Sequence, residues 1–170
     1  SITPTTGTIT MDGININDFN KQTYNHNFSY ATSKPYFYSE SIFDNLSYVC
    51  SSKKKIVKVL KQLEIYETVK NLSNGLDTNV IKEADQFNAY LLFMLGLARA
   101  ILSNSEWIAI YEFPTSLTAK QIAHVKDCLI NLKKSCSFII FSASDLAADI
   151  CDNCYVMAAG HIRKLAKVEG

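Results

Sequence analysis

The sequence predicts an α/β domain built around a parallel sheet. Two short apolar runs, Trp107–Tyr111 and Phe138–Phe141, have the length and composition of interior parallel strands. The segment between them, capped by Thr118 and running to about Leu132, carries Ile122, Val125, Leu129 and Leu132 on one helical face. A short helix over Asp145–Cys151 and a further strand over Cys154–Met157 follow. Strand, helix, strand, helix, strand at this spacing is the pattern of a parallel α/β layer. With 170 residues, 48% of them hydrophobic and 19% charged, the chain is long and apolar enough to bury one sizeable core.

The elements before this layer read in order as β, then helical. Thr8–Met11 alternates, Asp12-Gly13 is a hairpin-type turn pair, and Asn15–Phe19 is a short extended piece. Phe28–Ala31 reads as another strand. Ser51-Ser52 offers an N-cap for a helix over about Lys53–Leu72, whose Ile56, Val59, Leu60, Leu63, Tyr66, Val69 and Leu72 keep helical spacing. Gly75 is its predicted stop. A second helix over Asn88–Leu102 is apolar nearly all round and is predicted to be deeply buried. The amino-terminal β pieces and the middle helices are expected to form lobes around the parallel layer. Repeats, low-complexity tracts and linkers are lacking, and Pro4, Pro35 and Pro114 are widely spaced.

Composition excludes several functions. A formal net charge of +1 leaves no electrostatic footprint for nucleic acid. The 6 glycines are never followed by lysine, and no two lie within five residues of each other. The sequence therefore contains neither a phosphate-cradling P-loop nor a Rossmann fingerprint. Five cysteines, an odd number, are too few for a disulfide scaffold in a chain of this length. No signal peptide opens the sequence, and its most apolar run, Ala89–Leu102, contains Arg99 and is too short to span a bilayer. The expectation is a soluble, cytosolic chain.

Several segments, in order, carry a resemblance. Residues 4–13 (PTTGTITMDG), 28–38 (FSYATSKPYFY), 41–46 (SIFDNL), 72–80 (LSNGLDTNV), 95–102 (LGLARAIL), 107–117 (WIAIYEFPTSL) and 151–162 (CDNCYVMAAGHI) succeed one another without large gaps. Together they resemble the nucleotide-binding domain of exporter-type ABC transporters, beginning after the point where that family's phosphate loop (Walker A) and first helix lie. The resemblance implies a P-loop NTPase-like parallel sheet core, incomplete here, with an inserted helical subdomain and an amino-terminal β piece. Residues 1–46 would be the β and Q-loop part, 47–103 the helical subdomain with the signature helix, and 104–170 the Walker B and switch-loop core. It also implies ATP and Mg²⁺ as ligands, a transmembrane domain and a second nucleotide-binding domain as partners, and a place at the cytoplasmic face of a membrane.

The departures from the family pattern concern the chemical residues. Alignment from Ala98-Arg99-Ala100 puts Phe87-Asn88-Ala89-Tyr90-Leu91 where the resemblance expects the signature LSGGQ. Ala89 and Tyr90 stand for two glycines that allow close approach of backbone to phosphate, and a tyrosine ring is expected to collide there. Walker B would end in Asp-Glu; here it is Tyr111-Glu112, and a phenol with a pKa near 10 is a poor ligand for a hard cation. Ser33 occupies the Q-loop glutamine position, Ala143 the switch histidine position and Thr118 the closing aspartate of the D-loop. Ile81, Glu83 and Ala84 replace a normally glycine-rich stretch, whereas Gly7, Gly13, Gly75 and Gly160 match scaffold turns. The glycine shortage is thus local to the phosphate-facing surface. Glu112 is the one surviving candidate for a catalytic base, with Ser33, Asn88, Ala89, Tyr90, Tyr111 and Ala143 at nucleotide-binding positions and no metal ligand set. This pattern reads as a degenerate, weakly active or inactive ATPase domain, or alternatively as a non-catalytic interaction module for dimerisation or membrane docking.

Other features have plainer readings. Cys151-Asp152-Asn153-Cys154 is a helix end leading into a strand rather than half a zinc site, there being no second CxxC. His26, His124 and His161 are expected at the surface, and Lys53–Lys55 on a solvated helix start. Tyr36, Phe37 and Tyr38, with Ile42 and Phe43, form either an interface anchor, where the resemblance places the docking of a transmembrane partner, or packing between lobes. Without the phosphate-loop strand, the chain is expected to self-associate or to rearrange its sheet.

Overall fold

A computed structural model describes residues 4–18 and 27–165. Its centre is a three-stranded parallel sheet of β3 (Phe28–Thr32), β4 (Trp107–Tyr111) and β5 (Ser137–Phe141), in the order β3-β4-β5. The register is unbroken: Phe28 pairs with Trp107 and Trp107 with Ser137, and four further steps bring Thr32, Tyr111 and Phe141 into line. Two antiparallel hairpins flank it in the chain. The first joins β1 (Thr10–Met11) to β2 (Ile14–Asn15), and the last joins β6 (Tyr155–Ala158) to β7 (His161–Lys164). Both turn through pairs at positive φ, Asp12-Gly13 and Ala159-Gly160, as a type I′ turn requires.

The helices are α1 (Ile42–Ser47), α2 (Lys53–Gln62), α3 (Tyr66–Lys70), α4 (Ala89–Leu102) and α5 (Ala119–Leu132). Alternation sorts the sheet residues into two faces. Ser29, Ala31, Ile108 and Ile110 are buried toward the helices, while Tyr30, Tyr111, Ile139 and Phe141 lie exposed on the other side. α4 lies against β3, where the Ser29 hydroxyl donates to the Ala100 carbonyl at 3.1 Å. Phe93, Met94, Leu95 and Leu97 of α4 are completely buried with Ile56 and Leu60 of α2, and Val125, Leu129 and Leu132 of α5 join the same core. Among the described residues, no helix is long and apolar enough to cross a membrane.

The parallel layer, the all-round apolar α4, and the cap by Thr118 agree with the sequence expectation. Four expectations are corrected. The helix expected over residues 53–72 breaks in two. Glu64 adopts φ +54°, its N–H donates to the Lys61 carbonyl, and the Ile65 N–H donates to Leu60, which is a Schellman ending with glutamate in the glycine place. Consequently Gly75 does not stop it; α3 ends at Lys70. The strand expected over 154–157 pairs with β7 in its own hairpin and does not extend the parallel layer. The expected extended piece after Asn15 turns at once into a 3₁₀ turn over Ile16–Asp18, and its end at Phe19 lies outside the described residues. The expected helix over 145–151 shrinks to a 3₁₀ turn, Ala148–Ile150. The outer edge of β5 is unpaired among the described residues.

Candidate functional site

Parallel sheets present their loops for chemistry at the carboxyl ends of the strands. Here that rim gathers Ser33 after β3, Glu112 after β4, and Ser142 and Ala143 after β5. The Ser33 N–H donates to the Tyr111 carbonyl at 3.2 Å, extending the β3–β4 ladder by one step. Glu112 leaves the strand at φ +60°, a left-handed conformation that costs a non-glycine residue about 1 kcal/mol or more. Its N–H compensates by donating to the Phe141 carbonyl at 2.8 Å. The turn aims the Glu112 carboxylate at the loop after β5. One oxygen accepts the Ala143 N–H at 3.0 Å and the other the Ser142 hydroxyl at 3.4 Å. The Ser142 oxygen in turn accepts the Ser144 N–H at 3.1 Å.

A cleft of about 310 Å³ opens beside Glu112. Ser33, Lys34 and Ala89 line it with Glu112 and the Thr115-Ser116 turn. Three of the residues singled out in the sequence therefore share one cavity wall, and Ala143 touches it through Glu112. Lys34 was not singled out; its only sequence signal is its place next to Ser33.

The remaining candidates lie elsewhere. The Tyr111 ring sits on the open face of the sheet, 62% exposed and 6.3 Å from the Phe141 ring, so its phenol is not part of the cleft. Asn88 is a cap: its side-chain oxygen accepts the Leu91 N–H at 2.8 Å. Tyr90 turns toward α5, where its hydroxyl meets His124 Nδ1 at 2.6 Å. Its ring is held against that helix. Burial pushes the Tyr90 phenol up to about 12. Thr118 and Gln121 form a reciprocal capping box at the start of α5.

His124 is likewise not the free surface residue expected. Only 21% of its side chain is exposed, and its Nε2 lies 3.4 Å from Glu64 and 3.7 Å from the Cys128 sulfur. Tyr90, His124 and Glu64 thus tie the first turn of α4, the face of α5 and the α2–α3 break together. His161 lies exposed in β7, and His26 falls outside the described residues. Lys53–Lys55 are exposed as expected, and Lys53 also sits over the Phe43 ring at 5.9 Å. The five thiols are unpaired by disulfides.

The rim fits Mg²⁺ poorly. Among the described residues no three His, Cys, Asp or Glu side chains come together as a metal site, and Glu112 is the only carboxylate of the cleft. A triphosphate would meet one ammonium, Lys34, and hydroxyls, without a glycine-lined run of backbone N–H donors.

No family model matches the chain. It is similar to the ATP-dependent lipid A-core flippase of Francisella tularensis, 23% identical over 164 residues, which is 95% of this chain and 27% of that protein. The flippase of the same name from Pasteurella multocida is 25% identical over 161 residues, 93% of this chain and 28% of that protein. A lactococcin transport/processing ATP-binding protein LcnC-like of Lactococcus lactis is 28% identical over 139 residues, 80% of this chain and 19% of that protein. These relatives are ATP-dependent flippases and a transport/processing ATP-binding protein, and the chain is similar to each along most of its own length. The chain spans about a quarter of the length of the flippases it matches.

Proposed function

We propose that this chain is the carboxy-terminal part of a nucleotide-binding domain at the cytoplasmic face of an ABC exporter, and that its own nucleotide site is degenerate. The observation that carries the reading is the state of Glu112. A general base for water needs a free carboxylate, with a metal and a polarising partner beside it. Glu112 instead faces a backbone N–H of Ala143 and the Ser142 hydroxyl, with no second carboxylate in its cleft. Hydrogen bonds to the charged form favour a carboxylate as a fixed acceptor, so the residue bridges β4 to the loop after β5. The expected ligands of the parent domain are ATP and Mg²⁺, with phosphate and metal donors supplied from outside this sequence. The expected partners are a transmembrane domain and a second nucleotide-binding domain. The three-part division at about residues 46 and 103 belongs to the same reading.

The test is ATP turnover by the full-length exporter with Mg²⁺. Glu112→Gln is expected to change the rate by less than about twofold, because removing a working catalytic group costs orders of magnitude. Brisk hydrolysis abolished by Glu112→Gln would overturn the degenerate site. The second reading, a non-catalytic interaction module, is favoured by the exposed aromatic residues of the sheet and of the Tyr36–Tyr48 region. It predicts no calorimetric signal with ATP for this chain, and micromolar binding would sink it.

A further inference from the structure

The cleft beside Glu112 makes no use of the cysteine pair near the end of the chain. The helix expected over residues 145–151 closes early, as a 3₁₀ turn over Ala148–Ile150, and Cys151 leaves that turn extended, at φ −85° and ψ 142°. Asp152 and Asn153 then bend the chain, which brings Cys154 back toward the turn it has just left. Both cysteines meet one acceptor. The Cys151 N–H donates to the Ala148 carbonyl at 3.4 Å, and the Cys154 thiol donates to the same oxygen at 3.5 Å. The two thiols stand within hydrogen-bonding reach of each other.

Two lysines, Lys126 on α5 and Lys133 at its end, hold this loop in place. Lys126 pairs with Asp149 at 2.9 Å. Lys133 donates to the Ile150 carbonyl at 3.1 Å and pairs with Asp152 at 2.8 Å, so it grips the chain on both sides of Cys151. Beyond the bend, the Leu165 N–H donates to the Cys154 carbonyl at 2.9 Å, and the β6–β7 hairpin begins. That hairpin shares no strand pairing with the parallel layer among the described residues, and residues 151–154 link it to the turn held by α5. Both thiols are half-buried, open to a small reagent, whereas Cys128 is closed off in the core.

We propose that Cys151 and Cys154 are a reversible redox modification site, closing to an intramolecular disulfide by exchange with a low-molecular-weight disulfide of the glutathione class. One cysteine thiolate attacks a sulfur of the reagent, forms a mixed disulfide and releases one reagent thiolate. The second cysteine, as thiolate, attacks the protein sulfur of that mixed disulfide and releases the other reagent thiolate. The pair gives up two electrons and two protons, and the reagent disulfide takes them up as two thiols. The fold supplies the proximity that makes the second attack intramolecular. Burial first, and then the neighbouring Cys154, hold the Cys151 thiol above its usual range, while the Lys133 ammonium opposes that shift. Closure ties the turn held by α5 directly to the base of the last hairpin.

The test incubates the reduced full-length protein with oxidised glutathione, quenches it with acid, cleaves it on the amino side of aspartate and weighs the peptides. Cleavage before Asp152 parts Cys151 from Cys154, so residues 149–151 stay attached to the segment beginning at Asp152 only through a disulfide. That cross-linked pair is expected as the main product, released by dithiothreitol. Cys154→Ser is expected to stop at the mixed disulfide on Cys151, and Cys151→Ser at that on Cys154, each adduct at least about tenfold more abundant than in the unsubstituted protein. Closure is expected to quicken about tenfold from pH 7 to pH 8, as the thiolate fraction does well below a thiol pKa. Glutathione adducts that persist on the unsubstituted protein, a bond from either cysteine to a different residue, or two thiols left free would overturn the proposal.

Discussion

Tyr90 and Cys128 illustrate how single residues acquire properties that composition conceals. Both are ordinary in sequence, and both ionise late in the fold because burial disfavours their anions. Cys128 moves from 9.0 up to about 11 and Tyr90 from 10.0 up to about 12. The unfolded chain loses these protons first, so the folded state binds more protons in the alkaline range. Their contribution to stability is complete below their unfolded pKa values and is lost as pH rises through the folded ones. Urea midpoints are therefore expected to fall between about pH 9 and about pH 12, with a shallower fall in Cys128→Ala. Equal slopes for the two proteins would show that Cys128 is not the titrating group. Glu83 runs the opposite way: hydrogen bonds from Ser73, the Asn79 N–H, Asn74 and Gln86 hold its carboxyl below the usual range. The sequence presents Glu83 only as a missing glycine; the fold makes it the acceptor that ties residues 73–74 to 79–86. A glycine count cannot reveal this, since the donors are backbone and side-chain groups three to ten residues away.

At the scale of elements, local chemistry decides where it is strong. Thr118 caps its helix as the sequence leads one to expect, whereas Asn88, read from the sequence as a nucleotide-binding position, caps α4 through the Leu91 N–H. The α2–α3 break escapes notice because Leu63 and Ile65 on either side of Glu64 are both buried, so the apolar stripe continues through it. No glycine or proline marks the spot. Gly96 shows the converse, a glycine in mid-helix whose cost in propensity has a tertiary reason. A Cβ there would stand 3.0 and 3.2 Å from the Pro35 ring. That ring is rigid and follows Ser33 and Lys34 of the cleft. Gly96→Val is expected to lower stability by about 1–3 kcal/mol through overpacking, read as a fall in the thermal midpoint. An unchanged midpoint would mean that the 33–38 loop yields without cost.

The whole molecule is asymmetric about its sheet. Helices cover one face; the other displays Tyr30, Tyr111, Ile139 and Phe141, beside the edge of β5 that is unpaired among the described residues. Aromatic surface of this kind and an open strand edge both favour association. Self-association remains the expectation for this chain on its own. Sedimentation equilibrium is expected to show concentration-dependent oligomers, weakened by Tyr111→Ser with Phe141→Ser. A sharp monomer across the concentration series would count against it.

What the sequence alone determines is the α/β class, strands β3 to β5, the buried α4, the capped α5 and the likeness to an ABC exporter domain. These rest on periodicity, caps and segment order, which act over a few residues and survive in any context. Only the tertiary structure decides that Ser33, Ala89 and Glu112 share a cleft while Tyr111 faces away. It also decides that Tyr90 is bound to His124, and that the last strand leaves the sheet for its own hairpin. Those outcomes depend on which face a strand turns inward and on which partner packing brings to it. Period and spacing carry neither, because they state what a residue's neighbours are in sequence and leave its neighbours in space to packing.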